Sequence, residues 1–168
     1  MYQRILVPID GSATAAAGLD EAVRVAKAMG GQIRLLHVVE PPPVVYTGGP
    51  AALLTGEMLV ELTQAGEDLL RDAEKRVQAA GVAVDTRLVD EIGSPLASEV
   101  ERQIEDWNAD LLVIGTHGRR GIRRVLLGSD AEQVLRRTRI PVLLIRAEPT
   151  SEPASAAVPT ARSTDHAG

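Results

Sequence analysis

The sequence predicts an α/β fold, a five-stranded parallel, doubly wound sheet, on three observations. Apolar runs of strand length alternate with segments of helical period between Arg4 and Ile145. Several of these runs are apolar throughout, as in strands covered on both faces. Turn residues follow the first and fourth runs directly, as Asp10-Gly11-Ser12 and Gly115-Thr116-His117-Gly118. Strand–helix alternation of this kind gives a parallel sheet with helices on both faces and right-handed crossovers.

The elements follow in order. Residues 4–9, RILVPI, form the first strand, and Asp10-Gly11-Ser12 breaks it. A helix over 13–29 carries Ala15, Leu19, Ala22, Val23 and Ala26 at spacings of three and four, and Gly30-Gly31 stops it. The second strand, IRLLHVV, spans 33–39, with His37 as a core residue. Residues 40–50, EPPPVVYTGGP, read as a loop. A long helical pattern over 51–80 has Leu59, Leu62, Leu69, Leu70, Ala73 and Val77 on its apolar side, and Gly81 ends it. The third strand, VAVDTRLV over 82–89, begins in alternation, which suits a position nearer a sheet edge. Ser94-Pro95 reads as a capping hydroxyl followed by a first-turn proline. Leu96, Val100, Ile104 and Trp107 then face the core, while Glu99, Glu101, Glu105 and Asp106 form the wet face. The fourth strand is DLLVIG, 110–115. A short helix over 129–138 and a fifth strand, IPVLLI over 140–145, close the fold. The Ala-, Pro-, Ser- and Thr-rich remainder, 147–168, reads as a disordered tail behind a domain of 1–146.

Composition excludes several functions. There is no cysteine among the 168 residues, so neither disulfides nor thiolate metal sites arise, and a reducing compartment is suited. A net charge of -5 and aromatics at 2 % speak against nucleic-acid binding. No stretch approaches the ~20 apolar residues of a membrane span, and no signal peptide is visible at the N-terminus. The expected setting is cytoplasmic.

Candidate chemistry collects where the first and fourth strands end, because a doubly wound sheet binds ligands where its strand order reverses. Gly115, Gly118 and Gly121 admit close backbone approach. Ser129-Asp130-Ala131-Glu132 has the form of a capping box at a helix start, and phosphate is the usual occupant of such an end. The same glycines and box also occur in loops and helices that bind nothing, so the residues alone leave both readings open. No GxxxxGK[ST] is present, and the only lysines are Lys27 and Lys75. Asp10 is a ribose or metal contact, or else simply a turn residue starting the first helix. His117 has no histidine companion nearby and reads as a loop hydrogen-bonding residue.

Gly-x2-Gly-x9-Gly-Ser, carried by Gly115, Gly118, Gly128 and Ser129, resembles the ATP-binding signature of the universal stress protein family. ILVPIDGS, LLHVV, DLLVIGTHG and PVLLI resemble that family in the same order, across Tyr2 to Arg146. The resemblance implies a Rossmann-like sheet of order 3-2-1-4-5, similar to the adenine nucleotide alpha hydrolase fold. It implies Pro8, Ile9 and Asp10 beside the adenosine and the backbone of Val38 at the adenine edge. Gly115, Thr116, His117, Gly118, Arg119, Arg120 and Gly121 would wrap ribose and phosphates. Gly128, Ser129, Asp130 and Ala131 would take the phosphate tail, with Mg²⁺ or Mn²⁺ bridging it. A homodimer through the fifth strand, Val142, Leu143, Leu144 and Ile145, is implied as well.

Two features depart from the family pattern. Asp130 places a carboxylate where a triphosphate would sit, which reduces ATP affinity or lets AMP or ADP be tolerated unless a metal or arginine intervenes. Arg119, Arg120, Arg123 and Arg124 make the loop strongly basic, and arginine can pair with phosphate oxygens bidentately. The function expected is an ATP-binding regulatory switch in stress response, acting on a protein partner, with no catalytic residue assigned. The alternative is a slow ATPase or nucleotidyl-transfer enzyme using the same pocket. SGGxDS and HIGH-type motifs of related adenylylating enzymes are absent from the sequence.

Overall fold

A computed structural model describes residues 1–40, 55–91, 93–116 and 128–146. Its elements run β1 (Arg4–Pro8), α1 (Ala13–Met29), β2 (Gln32–Val38), α2 (Gly56–Ala79), β3 (Ala83–Val89), α3 (Leu96–Trp107), β4 (Leu111–Gly115), α4 (Ser129–Arg137) and β5 (Val142–Ile145). All strand pairs are parallel, in the order β3-β2-β1-β4-β5. That is the expected doubly wound sheet, with its reversal between β1 and β4. The expected loop at 41–50 and the tail from 147 lie outside the described residues.

Period-two alternation divides the core into two layers. Ile5, Val7 and Ile9 of the β1 segment join Ile33, Leu35, Leu111 and Val113 beneath α1 and α2. Leu6, Leu36, Val38, Leu112 and Ile114 point the other way, under α3 and α4. The central strands β1 and β4 are thus apolar on both sides because each side meets a helix, which explains their unbroken apolar runs.

Helix α1 begins where Ser12, at φ -73 and ψ 158, turns its hydroxyl to accept from the Ala15 amide at 3.1 Å. It ends at Gly30, whose φ of +66 is the left-handed conformation that glycine accommodates. Its inner face is built of small residues, Thr14, Ala15, Gly18, Ala22 and Ala26, with Leu19. That face brings the helix close over β4, to the point where a Cβ on Gly18 would lie 3.9 Å from Val113.

The start of α3 corrects two expectations. Pro95 occupies the N-cap, and Leu96 is the first helical residue. The Ser94 hydroxyl does not cap; it donates to Glu99 Oε1 at 2.5 Å. Glu99 is therefore not on the wet face. It is buried, and it also pairs with Arg102.

The two sheet edges differ in chemistry. On β3, Asp85, Thr86 and Arg87 are exposed, and Asp85 is held in a bidentate pair with Arg34, both bonds 2.7 Å. The Arg34 guanidinium also stacks 4.7 Å from the centre of the Trp107 ring, and the Asp85 hydrogen bond raises its pKa. On β5, Val142, Leu143 and Ile145 are half-buried and Leu144 is 39 % exposed.

Candidate functional site

Four chain segments converge at the carboxyl ends of β1 and β4. Pro8 closes β1, buried, and buried Ile9 follows it off the sheet. The Asp10 Oδ1 then accepts from the Ser12 amide at 3.0 Å across Gly11, whose φ is +81. This is an Asx-type turn that swings the chain into α1. It supports the structural reading of Asp10 while leaving its carboxylate half-buried at the mouth of the cleft.

Gly115 ends β4 directly against the first turn of α1. A Cβ there would sit 2.9 Å from the Thr14 Cβ and 3.1 Å from the Thr14 carbonyl carbon. Glycine is thus required at this position by helix–strand contact, before any ligand is considered. Sequence reasoning missed Thr14; it is buried in the first turn of α1, and its hydroxyl lies 3.1 Å from that of Ser12. The small residues of 13–18 were the only signal that something close lay opposite.

Buried Thr116 receives and returns the chain. Its amide donates to Ile145 O at 2.8 Å, and its carbonyl accepts from the Gly128 amide at 2.9 Å. The residues before and after 117–127 are therefore clasped together at the end of β4. His117, Gly118, Arg119, Arg120 and Gly121, all expected in the site, lie outside the described residues.

Helix α4 starts from this clasp, with Gly128 as its N-cap at φ -61 and ψ 148 and no side-chain cap. The expected capping box is not formed. Gly128 takes the extended cap position, so Ser129 is already helical and its hydroxyl is one residue too far along to serve. Glu132 pairs instead with Arg136 at 2.6 Å, one turn on. Ala131 is buried in the α3/α4 layer, so only its backbone faces the cleft, and Asp130 is exposed. The amides of Ser129, Asp130 and Ala131 have no hydrogen-bond partner among the described residues. By contrast, α1 is closed by its own Ser12 hydroxyl. Of the two helix starts at the cleft, α4 is the one open to an anion.

On the other side, the β1–β2 ladder stops early. The Ile9 amide donates to Leu36 O at 2.8 Å, the last rung. In a continuing parallel ladder the next rung would run from the Val38 amide to the Ile9 carbonyl. That carbonyl is instead bonded at 2.8 Å by His37 Nδ1. The Val38 amide points to the same side and has no partner among the described residues. Val38 thus presents its backbone amide as a donor at the cleft, with its side chain buried in the core. His37 is the buried core residue expected, but its bond to Ile9 was not foreseen.

The arrangement offers backbone donors at two places: the first amides of α4, suited to an anion, and the Val38 amide. Among the described residues no helix is long and apolar enough to cross a membrane.

Comparison with known proteins is consistent along the folded chain. The model of the universal stress protein family matches residues 1–146. A universal stress protein of Methanocaldococcus jannaschii is 33% identical over 147 residues, covering 87% of this chain and 83% of its own length. The crystal structure of a member of that family from Burkholderia pseudomallei is 34% identical, with a TM-score of 0.68 over 87% of this chain and 97% of its own. A solved universal stress protein in complex with cAMP is 30% identical, with a TM-score of 0.60 over 85% of this chain and 96% of its own.

Proposed function

The chain belongs to the universal stress protein family, and from that premise we propose that it is a nucleotide-dependent regulatory protein of the stress response. Its ligand is an adenine nucleotide, ATP together with Mg²⁺ or Mn²⁺, or AMP or ADP in its place. The observation that carries the reading is the start of α4: a glycine cap without a side-chain cap, tied through Gly128 to the end of β4, with three amides that have no partner among the described residues. The related structure holding cAMP supports an adenine-containing ligand on this fold.

The residues present fit that group. Gly128, Ser129, Asp130 and Ala131 would hold phosphate oxygens through their main chain, Pro8, Ile9 and Asp10 would flank the adenosine, and the Val38 amide would meet the acceptor nitrogen of adenine. Arg119 or Arg120 would neutralise the phosphate tail. The metal would supply the charge that lets Asp130 and a polyphosphate share one helix end. The protein acts in the cytoplasm as a homodimer through β5, and occupancy by nucleotide alters a surface read by a protein partner. No catalytic residue is assigned.

Melting with and without ATP and Mg²⁺ tests the reading. Nucleotide at 100 times its Kd should add about 2.7 kcal/mol. Gly128→Val, which crowds the cap and the amides behind it, should abolish the shift. A shift that survives Gly128→Val refutes the assignment of α4 as the phosphate end.

A further inference from the structure

We infer that His37 is a positioning residue for base recognition: by occupying the Ile9 carbonyl, its imidazole keeps the Val38 amide free to bind the base. The inference rests on the nucleotide reading above and deepens it, naming what makes the adenine edge available. A carbonyl only accepts, so the 2.8 Å contact fixes the Nδ1–H tautomer, with Nδ1 donating to Ile9. Without that donor, the Ile9 carbonyl is an unsatisfied acceptor at a buried residue, and the nearest group to satisfy it is the Val38 amide, one rung on in the β1–β2 register. Closing that rung would zip the ladder shut by one residue and remove the donor from the cleft.

The ring is locked in this orientation. A Cβ on Gly66 of α2 would fall 2.7 Å from His37 Cδ2 and 2.9 Å from Leu88 Cδ1. Gly66 is therefore the place in α2 where the helix yields its side chain to the imidazole. It explains a buried glycine in mid-helix, where glycine is otherwise unfavourable. His37, Gly66 and Leu88 form one interlocking unit behind the Ile9 carbonyl.

A free amide at Val38 selects bases by what they present. Adenine offers an acceptor nitrogen on its Watson–Crick edge; guanine offers an N–H at the equivalent place, which would face the amide donor to donor. Loss of the free amide should therefore compress the preference for adenine over guanine nucleotides rather than weaken all nucleotides alike.

Two measurements on the full chain test this. By amide hydrogen exchange in the absence of nucleotide, Val38 should exchange at least tenfold faster in the native protein than in His37→Leu, where the rung closes. In binding titrations, the ratio of GTP to ATP Kd should fall at least tenfold in His37→Leu. His37→Asn, which keeps an N–H near the position of Nδ1, should hold it within about threefold of the native value. A merely structural role would lower both affinities together and leave the ratio unchanged, and that result overturns the inference. So does a Val38 amide already protected in the native protein, a measurement that needs no variant to fold. If the native protein binds neither nucleotide, the proposed function fails, and the exchange rate of Val38 alone decides the role of His37.

Discussion

At the scale of single residues, the glycines of the cleft divide by the neighbour that requires them. Gly115 carries the family resemblance, and in the sequence it reads as a ligand-approach glycine. The structure gives it a packing reason, because the Thr14 Cβ and the carbonyl carbon beside it leave no space for a Cβ. Gly115→Ala should cost about 1–3 kcal/mol in chemical denaturation, the usual range for overpacking a close contact. Gly56→Ala is the matched comparison: none of the described residues lies within 4 Å of its Cβ position, and it should leave stability unchanged or slightly higher. Contacts of this kind are not legible in a sequence, since Thr14 and Gly115 are brought together only by the way α1 crosses β4. His37 shows the same limit: its burial could be read from an apolar strand, its bond to Ile9 could not.

At the scale of elements, periodicity located every strand and helix, because each core layer demands its own repeat. The 13–29 helix emerged at those bounds, since Ser12 and Gly30 are unambiguous stop signals. Caps were less legible where two candidate residues stand side by side. Gly128-Ser129 and Ser94-Pro95 each offered a hydroxyl, and in each the backbone chose the neighbour. At α4 that choice matters chemically, because an unused hydroxyl leaves the first amides open. Asp130 then complements the helix dipole in the protein without nucleotide and would oppose phosphate in the proposed complex. Asp130→Asn should lower the melting temperature without nucleotide slightly and tighten ATP by about two- to fivefold, the range expected of one exposed charge at a helix end. Titration calorimetry beside a thermal melt resolves both signs; movement of the two in the same direction excludes this account of Asp130.

At the scale of the molecule, the fold class was legible from the alternation of strand and helix, and the strand order from the family resemblance. What the sequence concealed was the Arg34–Asp85 pair that fixes the difference between the edges. β3 ends the sheet in charge, with Asp85 held by Arg34, whereas β5 ends it in partly exposed aliphatic side chains. Charged edges resist strand pairing and apolar ones invite it. The proposed dimer should therefore dissociate on Leu144→Lys, giving a folded monomer in sedimentation velocity with its circular dichroism unchanged. A dimer that persists in that variant places the interface elsewhere. The Thr116–Gly128 clasp has a consequence of its own. Because the chain departs and returns at a single hydrogen bond, whatever is spliced between those two residues starts from fixed anchor points on the same chassis. That stretch can then be exchanged while the five-stranded frame is inherited intact.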